Sequence, residues 1–206
     1  MNNFKIKSCY TNSFYDINFY IPEESKTDNL PLIIVLDGGN CFEVVKSCIK
    51  QQGQLYIKTG VKPSIVVGIS HQEYEKKEKR FLDFTAPAEK YFIPEETKFK
   101  IPKNLGGSEK FNEFIKKELL PLIEPNLNFD KSNISIIGHS LSGYYVLWNL
   151  LKESNIYKNI ISFSPSVWWN DYELLNLPNL ENTEKNIFIG VGEKEGYMVD
   201  GAEKIY

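Results

Sequence analysis

The sequence is poor in the residues that build disulfide frameworks and metal sites. Its 206 residues include only three cysteines and two histidines. The cysteines, Cys9, Cys41 and Cys48, are scattered, so they form neither an even set for disulfides nor a paired spacing for a metal. We therefore expect no metal and no cofactor. Reduced thiols also predict a cytoplasmic location.

Long apolar runs and a strong excess of one charge are missing as well. No stretch approaches the roughly 18 apolar residues of a membrane-spanning helix, and the first residues, MNNFKIKSCY, lack the apolar centre of a signal peptide. The net charge is −3, and no clustered basic face marks a nucleic-acid binder. We expect no membrane and no nucleic-acid partner, and the oligomeric state is left open.

Short apolar runs alternate with helical patterns along the chain. Five runs predict buried strands, because strands covered on both faces are continuously apolar; they are 31–36, 64–69, 133–137, 159–163 and 186–191. Residues 14–21 predict an earlier, antiparallel strand. The length favours one domain over residues 1–206, with a mostly parallel central sheet flanked by helices.

Two helices and one unusual segment complete the pattern. The first helix is predicted from an N-cap at Ser108, and Pro121 should end or kink it. The second should run from Leu141 to about Glu153. Residues 70–107 are long for a simple connection, and the charge run Gln72–Arg80 within them is typical of a solvated face.

The strongest chemical signal is the segment IIGHSLSG, in which Ser140 lies between a predicted strand and a predicted helix. Such a strand–turn–helix with small neighbours is typical of the strained turn that presents a nucleophilic serine. Gly138 precedes the serine by two residues, and Ser142 follows it where glycine is usual. A serine that only caps the helix is the alternative, and the surrounding pattern favours the nucleophile.

A glycine pair after the first buried strand supplies a second part of the same chemistry. Acyl transfer needs two N–H donors directed at the developing oxyanion. One is expected from Leu141, the residue after the nucleophile, and the other from the segment Asp37-Gly38-Gly39-Asn40. Gly39 and Asn40 are the main candidates, with Cys41 left open; a plain Gly-Gly turn is the alternative.

Two further segments follow strand ends at the predicted carboxyl edge of the sheet. Glu193 comes directly after the strand at 186–191, where an acid could orient a histidine, and Glu195 is an alternative to it. Two exposed surface carboxylates are an equally weighted explanation. Trp168 and Trp169 follow the strand at 159–163, where at least one could line a pocket; core packing is the alternative.

These segments together resemble the putative-esterase family, whose best-known branch is the siderophore (enterochelin-type) esterases. The resemblance covers residues from about 10 to the end and lies in VLDGGN, RFLDFT followed by Pro87, GHSLSG and SPSVWW. It implies an α/β-hydrolase fold and hydrolysis of lactone esters of catecholate siderophores, a small-molecule ester substrate. It also implies that Ser140 is the nucleophile, that Leu141 donates to the oxyanion, and that Trp168 or Trp169 faces substrate. Arg80 would bind substrate or anchor its loop to Asp83.

The family also places a histidine after one more strand, and this sequence has no histidine there. Its two histidines are His71, for which a compensating role is not expected, and His139, which we expect to pack under the turn. We therefore expect a C-terminally incomplete domain that lacks the final strand and helix, with only residual catalysis.

Three functions are carried forward. The first is a serine carboxylesterase that works through an acyl-enzyme on Ser140. The second is an acyltransferase on the same scaffold. The third is a non-catalytic remnant or ligand-binding protein, which the missing histidine favours.

Overall fold

A computed structural model places most of the chain in one α/β arrangement. The residues it describes are 3–23, 29–93, 100–150, 156–176 and 184–205.

A seven-stranded sheet forms the centre of these residues. The strands are β1 (Phe4–Lys7), β2 (Phe14–Tyr20), β3 (Leu30–Leu36), β4 (Ile65–His71), β5 (Phe129–His139), β6 (Asn159–Phe163) and β7 (Asn186–Gly190). Their order is β1-β2-β4-β3-β5-β6-β7. β1 and β2 pair antiparallel to their neighbours, and the other strands pair in parallel. The predicted mostly parallel sheet is therefore confirmed, as is the antiparallel early strand; β1 was not predicted.

Alternate side chains of β3 enter separate apolar clusters on the two faces of the sheet. Leu32 and Ile34 belong to the larger cluster, whereas Ile33 and Val35 pack with Phe42 of the first helix in the smaller one. Burial of both faces explains why the strand reads as a continuous apolar run rather than as an alternation.

Helices cover both faces of the sheet. They are α1 (Gly38–Gly53), α2 (Tyr56–Thr59), α3 (Lys76–Phe84), α4 (Ser108–Phe114), α5 (Leu120–Ile123), α6 (Leu141–Leu150), the short α7 (Trp169–Tyr172) and α8 (Tyr197–Ile205). All ten residues of α6 are buried. Its predicted start at Leu141 is confirmed, and residues 151–155 of the predicted helix lie outside the described part of the chain.

Two expectations about the helices are wrong in detail. Of the two outcomes expected at Pro121, an end or a kink, the end is wrong, because a π-helical turn at Ile115–Leu119 leads directly into α5, where Pro121 occupies the first turn and needs no N–H partner. The position before the helix is taken by Gly107, and Ser108 is its first, fully buried residue.

The charge run Gln72–Arg80 is exposed or half-buried from Glu73 on, as expected of a solvated face. Its second half begins α3, whose apolar residues Phe81 and Phe84, beyond the run, are buried against the larger cluster. The charged residues of α3 face outward at its start, so the sequence pattern concealed the helix. α3 follows β4 and therefore lies at the carboxyl edge of the sheet, where folds of this class bind ligands.

A search of the described helices for a membrane-spanning segment finds none with the necessary length and apolarity.

Candidate active site

Ser140 occupies a sharp turn between β5, which ends at His139, and α6, which begins at Leu141. Its φ of 58° lies in the left-handed region, which L-residues other than glycine rarely adopt. The amide of Ser140 donates to the carbonyl of Phe163 (3.0 Å), and the Ser140 carbonyl accepts from Tyr144 (2.9 Å) and Ser166 (3.1 Å). Backbone hydrogen bonds on both sides therefore hold this strained residue in place.

The two glycines near Ser140 are required by the lack of space around the turn. A Cβ atom on Gly138 would lie 2.2 Å from the carbonyl oxygen of Ser142. A Cβ atom on Gly143 would lie 2.8 Å from the hydroxyl of Ser162 and 3.0 Å from the carbonyl oxygen of Phe163. Strand, turn and helix pack too closely for larger residues, which is the geometry expected of a nucleophile elbow.

Ser142 ties this elbow to the loop after β3. Its hydroxyl lies 2.8 Å from Oδ2 of Asp37 and 2.9 Å from the carbonyl oxygen of His139, and it accepts the His139 amide at 2.9 Å. A hydroxyl has one proton to donate. Because a carboxylate is the stronger acceptor, we assign that proton to Asp37.

Asp37 also receives both arms of a guanidinium. Nε of Arg80 donates to Oδ1 (2.5 Å) and Nη2 donates to Oδ2 (2.7 Å), in a bidentate ion pair. The sequence alternative in which Arg80 anchors its loop to Asp83 is therefore wrong. Asp37, Arg80 and Ser142 form one unit, called the Asp37 network below, that joins the β3–α1 loop, α3 and the elbow.

The predicted oxyanion donors lie at two helix starts. The amide of Asn40 already donates to the carbonyl of Asp37 (2.9 Å), and so does that of Cys41 (3.2 Å). Within the part of the chain that the structure describes, the amides of Gly39 and Leu141 have no acceptor. Of the donors considered from the sequence, Gly39 and Leu141 are therefore the pair available to a ligand.

A cavity of about 320 Å³ opens over Ser140. Two cations line it, Lys77 and Arg80, together with Trp168 and Tyr197, whose rings meet edge to face at 6.0 Å. Among the described residues, its lining includes no carboxylate side chain. The volume is in the range of small-molecule sites, and the lining combines apolar aromatic surface with positive charge.

The two tryptophans have different surroundings. Trp168 lines the cavity, whereas Trp169 is fully buried and packs against Phe81 (5.7 Å between ring centroids) and Tyr91 (6.0 Å). The expectation that Trp169 contacts substrate is therefore corrected: its ring fills the core beneath α3. Arg80 does line the cavity, although Asp37 neutralises its charge.

The two glutamates after β7 also differ. Oε1 of Glu195 accepts from the hydroxyl of Ser164 (2.9 Å) and from the amide of Gly192 (3.1 Å). Glu193 is exposed, and no contact of its side chain appears among the described residues. The geometry connects Glu195, more than Glu193, to the strand ends near the elbow.

Neither histidine bonds to Ser140. His71 is buried and shares Oδ2 of Asp83 with the hydroxyl of Tyr15, at 3.0 and 2.6 Å. Burial, reinforced by the Asp83 charge, raises the pKa of Tyr15 far above its ordinary value. His139 is exposed at the end of β5, so the expectation that it packs under the turn is wrong. The hydroxyl of Ser140 instead contacts that of Ser166 at 3.4 Å, a weak contact.

Several residues of the site were missed in the sequence. Asp37 and Ser166 lie inside quoted segments, DGGN and SPSVWW, but nothing local shows that they meet the elbow. Lys77 and Tyr197 reach the cavity from helices that begin far apart in the chain. A search of the described residues for three clustered metal ligands finds no such group.

The sheet, the elbow and the available amides are those of the α/β-hydrolase fold, and comparison with solved structures supports this class. The BES protein of Bacillus cereus superposes with a TM-score of 0.86 at 30% identity, over 99% of this chain and 80% of that one. The profile of the family described as "Putative esterase" matches residues 8–203. The chain belongs to that family, as expected from the sequence.

Relatives in this family carry siderophore names. The chain is 34% identical over 188 residues to the ferri-bacillibactin esterase BesA of Bacillus subtilis (strain 168), covering 85% of this chain and 65% of BesA. It is 27% identical over 139 residues to the apo-salmochelin esterase of Escherichia coli O6:H1, covering 66% of this chain and 42% of that protein. The chain thus spans less than two thirds of the length of these relatives.

Proposed function

We propose that this chain carries the nucleophile of a serine hydrolase that cleaves carboxylic esters, with siderophore-type lactone esters as the substrate class. One observation carries the proposal: Ser140 is held at a left-handed φ of 58° at the cavity, and the amides of Gly39 and Leu141 lack an acceptor within the described chain. A strained serine at a cavity, together with unused backbone donors at the starts of α1 and α6, fits the needs of acyl transfer.

In the proposed reaction, Oγ of Ser140 attacks the ester carbonyl carbon while a base takes its proton. The carbonyl oxygen becomes an oxyanion, and the amides of Gly39 and Leu141 stabilise it. When the intermediate collapses, the C–O bond of the ester breaks and the leaving alcohol takes the proton. An acyl group then remains on Ser140, and water releases it as a carboxylic acid in a second round of the same steps.

The cavity lining supports an acyl group that is aromatic and anionic. Trp168 and Tyr197 offer ring faces and edges to an aromatic group. Lys77 adds a positive charge, and the described part of the lining holds no carboxylate beside it. The siderophore names of BesA and the apo-salmochelin esterase agree with the proposed substrate class, and the catecholate implied by the sequence resemblance is an aromatic anion. Arg80, paired with Asp37, would contribute hydrogen bonds more than net charge.

The decisive experiment labels Ser140 with a fluorophosphonate and locates the adduct by mass spectrometry. We expect one adduct, on Ser140, which forms slowly and faster with added imidazole, and none in Ser140→Ala. Because no histidine bonds to Ser140 in this structure, p-nitrophenyl ester turnover should be slow and should rise with added imidazole. Imidazole also hydrolyses such esters directly, so the rate of Ser140→Ala at each imidazole concentration is subtracted.

A binding protein without catalysis is the second candidate, favoured by the Ser140 hydroxyl that meets Ser166 and no histidine. Equal ester turnover by the wild type and Ser140→Ala at every imidazole concentration, with no fluorophosphonate adduct, would favour this candidate over the hydrolase. The acyltransferase alternative predicts transfer to an added alcohol, which product analysis detects. A cytoplasmic location stays a prediction.

A further inference from the structure

Asp37 occupies the N-cap position of α1 but does not cap it. Aspartate is among the residues that most favour this position, because its carboxylate accepts the amides of the second or third helical residue. In α1 those residues are Gly39 and Asn40. The side chain of Asp37 makes no such hydrogen bond.

The carboxylate is held elsewhere by three donors. Arg80 donates two hydrogen bonds to it, at 2.5 and 2.7 Å, and Ser142 donates one at 2.8 Å. Asp37 is 7% exposed, so these bonds are shielded from water and satisfy a charge that would be costly to bury alone. These bonds hold the carboxylate toward the elbow, and the left-handed backbone of Asp37 (φ 53°, ψ 40°) likewise departs from the extended conformation usual at an N-cap.

The position of the Asp37 carboxylate decides whether one backbone amide, that of Gly39, is free. Asn40 already donates to the backbone carbonyl of Asp37, so a capping carboxylate would take the remaining amide, that of Gly39. Gly39 is also the loop donor available for the oxyanion. A carboxylate bonded to it would both occupy the donor and repel the negative charge that develops on the substrate.

We propose that Ser142 and Arg80 are positioning residues that keep the Asp37 carboxylate off the Gly39 amide, so that this amide is free for the oxyanion. The inference rests on the proposed hydrolase function for its purpose, but the hydrogen-bond exchange itself does not depend on activity. It also gives a reason for Ser142 in a turn position where glycine is usual: only a hydroxyl there donates to Asp37.

The first test measures the Gly39 amide directly by ¹⁵N NMR and hydrogen exchange in the 206-residue chain. In the wild type we expect exchange near the rate of an unbonded amide. In Ser142→Ala we expect Gly39 exchange to slow about tenfold and its ¹⁵N–¹H peak to move, as the carboxylate turns to cap α1. Ser142→Gly removes the same hydroxyl and keeps the test open if the alanine variant does not fold.

Ser162→Ala is the matched control. Ser162 is a fully buried serine whose hydroxyl donates to the carbonyl of Gly143 at 3.0 Å, close to the elbow but outside the Asp37 network. Its loss should lower stability without changing the exchange of Gly39. Unchanged Gly39 exchange in both Ser142 variants would overturn the inference.

The second test follows the fluorophosphonate rate constant at Ser140. We expect Ser142→Ala to react about tenfold more slowly than the wild type, the size of one lost charge-assisted hydrogen bond. Adding Asp37→Gly to Ser142→Ala should raise the rate again, since the carboxylate that blocks Gly39 is gone and glycine suits the left-handed φ of 53° at this position.

A merely structural role for Ser142 predicts the opposite, because the second substitution then removes still more contacts. A double variant no faster than Ser142→Ala would therefore overturn the inference. If the wild type shows no adduct at all even with added imidazole, the proposed function fails, and the exchange of Gly39 still decides whether Ser142 holds the carboxylate.

Discussion

The elbow and the turn after β7 lie at the same edge of the sheet, but they are built in opposite ways. At the elbow, a Cβ atom on Gly138 would meet the backbone of Ser142, and every residue of the following helix α6 is buried. After β7, the residues from Gly192 to Tyr197 are all exposed, and Glu195 is held by two hydrogen bonds. The elbow is fixed by packing, whereas the acidic turn is fixed by a few polar contacts.

This difference shows that backbone packing identifies the position of the nucleophile but not that of the acid. A strained residue needs surroundings that over-determine it, and the elbow supplies them. The acidic turn has no such surroundings among the described residues, so its choice between Glu193 and Glu195 rests on polar contacts alone. The predictions below test the contrast, beginning with the largest effect.

We expect the buried part of the protein, which includes α6, to unfold cooperatively at alkaline pH. Burial raises the pKa of Tyr144 and Tyr145 of α6, and of Tyr15 and Tyr157, well above the ordinary value near 10. A pKa raised in the folded state means that the folded protein holds these protons longer. Their contribution to stability is thus complete below pH ~10 and is lost as pH rises above it, by about 1.4 kcal/mol per pH unit for each tyrosine.

Four such groups together lower the free energy of unfolding by roughly 6 kcal/mol per pH unit, so we expect unfolding within about one to three units above pH ~10. Absorbance at 295 nm measures tyrosinate, and circular dichroism measures unfolding. The four tyrosines whose pKa burial raises should ionise only together with the loss of structure. Complete ionisation of all 12 tyrosines with the fold intact would contradict the prediction.

Matched glycine substitutions compare the two turns directly. In Gly138→Ala the new Cβ atom meets the Ser142 carbonyl oxygen at 2.2 Å, and in Gly192→Ala it meets Oε1 of Glu195 at 2.5 Å. Backbone cannot move aside, whereas the end of an exposed glutamate can. We expect Gly138→Ala to cost about 3 kcal/mol or more in urea unfolding and Gly192→Ala less than about 1 kcal/mol. Similar losses of stability in the two variants would contradict the view that packing fixes the elbow and polar contacts fix the turn after β7.

The same distinction explains which features could be predicted from the sequence. The strands were recognisable because β3 and β4 are buried on both faces, and the elbow because only small residues fit around Ser140. These are short-range steric requirements, so they leave a local signature. The fold class and the family followed from them.

The features that escaped prediction depend on partners distant in sequence. The Asp37–Ser142 bond joins residues 105 positions apart, and nothing local to either predicts it. Trp168 and Trp169 are neighbours whose rings turn to the cavity and to the core, a choice made by the packing of Phe81 and Tyr91. α3 was hidden because its outward charges outnumber the apolar residues that anchor it.

Backbone strain at Ser140 gives a smaller effect of predictable sign. Ser140→Gly and Ser140→Ala both remove the hydroxyl, but only glycine adopts a φ of 58° without strain. We expect the glycine variant to be about 1 kcal/mol more stable than the alanine variant in urea unfolding. At Ser166, whose φ is not positive, the order should reverse, because glycine there only adds freedom to the unfolded chain. The same order at both sites would show that Ser140 is not strained.

The smallest effects are expected at the two glutamates. Glu195→Ala removes two hydrogen bonds, to the Ser164 hydroxyl and the Gly192 amide, and should lower stability by about 1 kcal/mol because the site is exposed. Glu193→Ala should stay within about 0.5 kcal/mol of the wild type. Chemical denaturation measures both, and imidazole-dependent turnover by each variant shows which carboxylate matters for chemistry. If Glu193→Ala instead lost more stability and more turnover than Glu195→Ala, Glu193 would be the acid that acts in catalysis. The hydrogen bonds of Glu195 would then serve only the turn.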